Sequence, residues 1–182
     1  MLRGFVKWMR DDGATAAVEA GFLFPLLLAI LCGTIDIGIG LVTNQKVTNA
    51  TQTVSDLLTR EIEAKPADID DAIVAGRMAM MPYPTDSYGV DIASIKFIGT
   101  TKVPTVQWRR TFNMIANTEI LDRTAGLGAQ NEGVLAVTVH YIFTPIFTSY
   151  LGDPIVMKIE SFARGRKVPT GYIPCSTGGS SC

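Results

Sequence analysis

Gly13–Leu41, GATAAVEAGFLFPLLLAILCGTIDIGIGL, decides how the rest of the chain is read. Between Glu19 and Asp36 it carries no charged side chain, only a block dominated by Leu, Ile, Phe, Ala and Gly. From Ala20 to Val42 the run is about 23 residues, or about 35 Å as a helix, enough to cross a hydrocarbon core of about 30 Å. A single lipid-exposed segment can satisfy its backbone only as a helix, so the stretch reads as a membrane-spanning helix. Pro25 sits near its start, where few upstream carbonyls lose a partner. The bland alternative is a buried core helix of a soluble protein. A secretory signal peptide is the stronger competitor, because Arg3, Lys7 and Arg10 precede the apolar run. Against it, the run exceeds the usual length of about 7–15 residues, and Asp36 to Gln45 offers no clear Ala-x-Ala.

The chain has 182 residues, which suits one apolar helix and one folded domain. The division expected is a cytoplasmic leader over 1–13, a transmembrane and assembly helix over 14–42, an exported α+β domain over 43–170, and a tail over 171–182. A net charge of -1 supplies no basic field for nucleic acid. Cations cluster before the apolar run, while Lys46 alone follows it closely, so the N-terminus is expected in the cytoplasm and the bulk of the chain outside. An exported domain meets an oxidising compartment, where Cys175 and Cys182 are expected to form a disulfide; the alternative is two free thiols on a frayed tail. Cys32 reads as a small apolar filler. No cofactor or metal is called for: there is no CxxC, and the single His140 has no ligand-type neighbour.

Past the apolar run the helical period continues. Val47, Ala50, Val54 and Leu57 recur at helical spacing, with polar residues on the other faces. One helix from about Ala14 to Ala64, roughly 75 Å long, is expected to end before Pro66. Pro66 then opens a second helix whose first turns carry Asp68, Asp70 and Asp71, ending near Met81. Ile69, Ile73, Arg77 and Met80, with Ala72, Gly76 and Ala79, give it a narrow small-residue face for close approach. Strand patterns follow at Val90–Phe97, Val103–Arg110, Val134–Phe143 and Pro154–Ala163. Phe112–Leu121 reads as a short helix or an irregular excursion. The fold class is therefore α+β: a long N-terminal membrane-spanning helix extending into a domain with a second helix and a roughly four-stranded antiparallel sheet. The stripe Val47–Val54–Leu57 is expected to bury itself on that sheet.

These residues resemble the TadE/TadG-like family of the Tad (Flp-type) pilus machinery, a branch of the type IV pilins. The resemblance rests on Gly13-Ala-Thr-Ala-Ala-Val-Glu19, on Pro25 within the apolar run, on Asp36-x-Gly38 and on Ser55-Asp56-Leu57-Leu58. Val137-x-Val139-x-Tyr141, Thr144-Pro145 and Phe162-Ala-Arg164-x-Arg166 look like the family's closing strands. The resemblance implies a pilin-like fold and removal of the leader by a prepilin peptidase after Gly13, leaving Ala14 first. In the family the glutamate lies fifth after the cut. Glu19 is sixth counted from Ala14, and a cut after Ala14 restores the fifth place with Thr15 first. Implied partners are the membrane, a prepilin peptidase, and other pilins or Tad assembly proteins. The implied location is the bacterial inner membrane, with the C-terminal domain periplasmic.

Two acidic residues carry the site reading. A carboxylate at the end of an apolar helix costs several kcal/mol unless it finds a partner or an interface. For Glu19 the partner is the freed α-amino group of an adjacent subunit, which sets register in a filament; the bland reading is a place at the cytoplasmic headgroups, favoured by the helix dipole. For Asp36 the readings are the periplasmic interface or a buried contact with another subunit. No nucleophile elbow, phosphate loop or zinc pattern is present, so no catalytic residue is named and no enzyme is expected. The function expected is a minor pilin or pseudopilin of a Tad-type assembly system; the alternative is a bitopic envelope scaffold that is never processed.

Overall fold

The computed structural model describes residues 12–147, 153–177 and 182. Most of the leader, with Arg3, Lys7 and Arg10, lies outside them. The chain forms two compact units, Met1–Leu41 with Pro145–Asp153, and Val42–Thr144 with Pro154–Cys182. Helix α1, Asp12–Thr59, runs through the sequence of both.

In the first unit α1 is apolar on every side. From Phe22 to Leu31 its large side chains stand between 47% (Leu28) and 77% (Phe22) exposed. Successive residues turn by about 100°, so these side chains cover about two-thirds of the circumference, and Pro25 and Ala29 complete it. Leaving eight such groups in water costs on the order of 15 kcal/mol, more than a typical domain's entire stability. The segment needs an apolar surrounding, and its length and composition suit a membrane.

In the second unit the same helix becomes one-sided. Val47, Ala50, Val54 and Leu58 are buried, at spacings of three, four and four. Leu58 closes the stripe in place of Leu57, which is 39% exposed. An ideal helix has 3.6 residues per turn, so a step of four after Val54 keeps the stripe on its face better than a step of three. Buried Thr51 turns its hydroxyl back on the helix and donates to Val47 O at 2.8 Å. The helix ends at Thr59, five residues short of Ala64. The C-terminal tail competes for that backbone: Ala64 N–H donates to Pro174 O at 2.8 Å, and Ser176 N–H donates to Ala64 O at 2.9 Å. Arg166 N–H takes the Thr59 carbonyl at 2.8 Å.

Helix α2, Pro66–Ala79, begins with its proline in the first turn and buries Ile69, Ala72, Ile73 and Gly76. The sheet follows: β1 Gly89–Ile98, β2 Val103–Phe112, β3 Gly133–Phe143 and β4 Ile155–Ala163, with a short helix α3, Ile120–Thr124, between β2 and β3. All pairings are antiparallel, in the order β2-β1-β3-β4. The α+β reading holds, with each strand within a few residues of its expected place. The excursion after β2 is irregular up to Asn117 and then turns into α3.

Alternation along the strands makes two faces. Ala93 and Ile95 of β1 and Ala136 of β3 bury against Ile120 of α3. On the other face Ser161 and Ala163 of β4 share a cleft with Asn49, Gln52 and Thr53 of α1, which places α1 across that side. The tail is pinned on the same side. Trp108 Nε1 donates to Ile173 O at 2.8 Å, and Ser94 Oγ donates to the same oxygen at 2.9 Å. Cys175 and Cys182 are disulfide-bonded.

Candidate assembly helix and its acidic residues

The sequence singled out one helix with an acidic residue near each end. Gly13, Ala14 and Thr15 lie within α1, close to its first residue. Glu19 is exposed, one turn further on. Asp36 is different. It is 4% exposed although its helical neighbours Ile35 and Ile37 are 41% and 67% exposed.

Among the described residues, cover comes from Ile146 and Phe147, which follow β3 and group with the apolar half of α1. Ile146 N–H donates to Asp36 Oδ1 at 2.9 Å. Phe147 N–H donates to both oxygens, at 3.2 Å to Oδ1 and 3.0 Å to Oδ2. Charge-assisted bonds of this kind are about twice as strong as neutral ones, and together they engage both carboxylate oxygens. The structure therefore joins Asp36 to two residues that sequence reading left out, and it does not bring Asp36 near Glu19, which lies 17 positions earlier on the same helix. The overlooked signal was Pro145-Ile-Phe: two large apolar residues in a loop, where polar ones are the norm.

Residues 14–56 match the family model of TadE-like proteins. The match runs from the start of the apolar stretch into the one-sided half of α1, so this TadE-like segment contains both Glu19 and Asp36. It bears out the resemblance read from the same residues. No curated protein and no solved structure matches the chain. The sheet-bearing unit is thus known by its own geometry.

That geometry holds two further polar features. The first is the cleft of about 640 Å³ between α1 and β4, lined among others by Asn49, Gln52, Asp56, Ser161 and Arg166. Arg60 and Arg166 both pair with Asp56, and the hydrogen bond from Arg60 does most to hold its carboxyl below the usual range.

The second lies under the excursion after β2. Asp91, 2% exposed, accepts the Asn117 N–H at 2.7 Å and has Arg109 Nε at 3.2 Å. The Asn117 side chain donates to Glu160 at 2.8 Å and to Thr138 Oγ1 at 3.2 Å, and its oxygen accepts from Lys158 at 3.0 Å. Burial raises the Asp91 carboxyl above its ordinary value, more than the Asn117 N–H and the nearby Arg109 and Lys158 charges lower it. A raised carboxyl in a pocket can signal catalysis. Here Asn117 hydrogen-bonds the carboxyl and Arg109 ion-pairs with it, and the arrangement fastens the excursion to the sheet. Among the described residues no group of His, Cys, Asp and Glu is placed to hold a metal.

Proposed function

We propose that this chain is a minor pilin or pseudopilin-like component of a Tad-type pilus assembly system. The observation that carries the reading is the TadE-like match over a helix whose apolar half is uncovered on all sides. Such a helix suits transfer from lipid into a bundle of like helices, since both surroundings are apolar. In this reading residues 1–13 are a cytoplasmic leader, 14–42 the assembly helix, and 43–170 a periplasmic domain carried outward. A prepilin peptidase cuts after Gly13 or Ala14, leaving Ala14 or Thr15 first. Glu19 then pairs with the free α-amino group of a neighbouring subunit and sets the register between helices.

A second reading has its own support. Asp36 is already satisfied within its own chain, so a monomer can remain in the bilayer without a partner for that carboxylate. The sixth-place glutamate also departs from the family's processing pattern. Both fit a bitopic envelope scaffold that is never cut.

Intact mass and N-terminal sequencing of the protein purified from its native membrane distinguish the two. A chain beginning at Ala14 or Thr15 supports the pilin reading. An intact Met1 supports the scaffold, and a chain lacking Ala20–Val42 overturns both.

A further inference from the structure

We propose that Ile146 and Phe147, at the start of the β3–β4 connection, form a second membrane contact, seated in the boundary between headgroups and acyl chains. The proposal rests on reading Ala20–Val42 as a membrane span, and it adds a partner, the lipid surface, to a segment with no assigned role.

The argument begins with depth. Asp36 lies five residues before Leu41, about 7 Å along the axis inside the C-terminal end of the apolar run. A carboxylate at that depth is costly unless partnered, and so is an irregular backbone with free N–H groups. Each supplies what the other lacks: Asp36 accepts from the N–H groups of Ile146 and Phe147. Pro145, buried just before them, has no N–H to satisfy. The clasp therefore holds a loop at a depth where an unclasped loop would be expelled.

The side chains agree. The side chains of Ile146 and Phe147 are 62% and 48% exposed although their backbone N–H groups are held by the carboxylate. Ile37 and Leu41 on the same unit are likewise exposed, so the loop extends the helix's apolar surface at its C-terminal end. No charged residue occurs from Thr144 to Gly152. Water is a poor surrounding for this surface, and continuity with the span makes lipid its occupant. Aromatic and apolar side chains at this level are what anchors a membrane protein at an interface.

The test uses the full-length protein with Cys32→Ala, so that the only free thiol is an introduced one and the disulfide stays oxidised. An environment-sensitive NBD fluorophore is placed at Phe147→Cys, at Ile146→Cys, at Leu28→Cys within the span, and at Thr100→Cys in the exposed β1–β2 turn. Vesicles of phosphatidylethanolamine and phosphatidylglycerol carry a nitroxide quencher at carbon 5 or carbon 12 of an acyl chain. At positions 146 and 147 the shallow quencher is expected to act at least twofold more strongly than the deep one, with position 28 showing the opposite order. Adding Asp36→Ala is expected to reduce quenching at 147 to the level at 100 and leave position 28 unchanged. Quenching at 146 and 147 no greater than at 100, with position 28 still quenched, overturns the loop contact while leaving the span intact. Quenching at 147 that appears only at high protein-to-lipid ratio makes a neighbouring chain the occupant and also overturns it. No quenching at position 28 removes the span itself, and the inference with it.

Discussion

Gly76 of α2 lies so close to Val54 of α1 that no side chain fits between the two helices. A Cβ there would come within 2.5 Å of Val54 Cγ2 and 2.3 Å of Tyr88 Oη. The glycine sets the distance at which α2 meets α1, and hence how deeply Val47, Ala50 and Val54 are covered. Gly76→Ala gains about 1 kcal/mol in helix propensity but overpacks a closed site at a cost of about 1–3 kcal/mol. The net result is a lower urea midpoint for the detergent-solubilised protein. Tyr88 Oη is buried with no hydrogen-bond partner among the described residues, and burial pushes its phenol up from its ordinary value. Tyr88→Phe is therefore expected to be neutral or stabilising, and to shrink the cost of Gly76→Ala when the two are combined. Additive effects would refute the contact.

Asn117 joins the excursion to all four strands, through Arg109, Asp91, Thr138 and Lys158 with Glu160. Asn117→Ala keeps the N–H bond to Asp91 but leaves Glu160 and Thr138 short of a partner, for a loss of about 1–3 kcal/mol. Asp91 adds a pH signature. Its carboxyl is raised in the folded chain above the ordinary 3.8, so across the interval between the two values the folded state holds more protons than the unfolded one. The stability contributed at this site therefore falls as pH rises through that interval. Asp91→Asn removes the carboxyl, and its urea midpoint is expected to lack that segment of the pH profile. An unchanged profile would mean that Asp91 is not the titrating group.

The sheet was legible because β-branched runs such as Val134–Phe143 allow little else, and α1 because its period continues unbroken from the apolar run into Val47 and Val54. The end of α1 was not legible. Nothing near Thr59 breaks a helix locally; Ala64 is drawn out of it by Pro174 and Ser176, more than a hundred residues away. The same limit applies to the site. Glu19 and Asp36 stood out as charges beside apolar residues. Asp36 accepts from the backbone N–H groups of Ile146 and Phe147, and although two apolar residues in a loop hint at a contact, nothing in them names Asp36 as its acceptor. Arg109 and Asn117 carry no pattern that marks them in the sequence; the fold brings them to Asp91.

The disulfide bears on the same tail. Cys175 pairs with Ala64 as an isolated parallel bridge, and Cys182 returns to it through the sulfur–sulfur bond. Closing so short a loop restricts the unfolded chain by about 2 kcal/mol. Cys182→Ser is expected to lower stability by up to that amount. The backbone bonds of Ala64 remain, so the Trp108 environment set by Ile173 O is retained. Denaturation followed by Trp108 fluorescence, with Trp8→Phe removing the other tryptophan, measures both: a shifted midpoint with an unchanged folded spectrum. A changed spectrum would show that the bridge, and not the ladder at Ala64, holds the tail on the sheet.

Glu19 tests the assembly reading most directly, because it is exposed and has uncovered apolar neighbours, Val18 at 59% and Phe22 at 77%. Such a charge is costly once the helix enters an apolar bundle, unless a cation meets it there. If that cation is a neighbour's α-amino group, Glu19→Ala and Glu19→Gln both remove the attraction that sets register, while Glu19→Asp keeps the charge and retains part of it. The expected outcome is loss of the protein from sheared pili in the first two variants and partial recovery in the third. All three should keep the wild-type denaturation midpoint of the sheet-bearing unit, since Glu19 belongs to the other compact unit. Measuring incorporation beside that midpoint separates assembly from folding. Normal incorporation of Glu19→Gln would mean that the carboxylate only rests among lipid headgroups, and register would then have to come from the shapes of the helices alone.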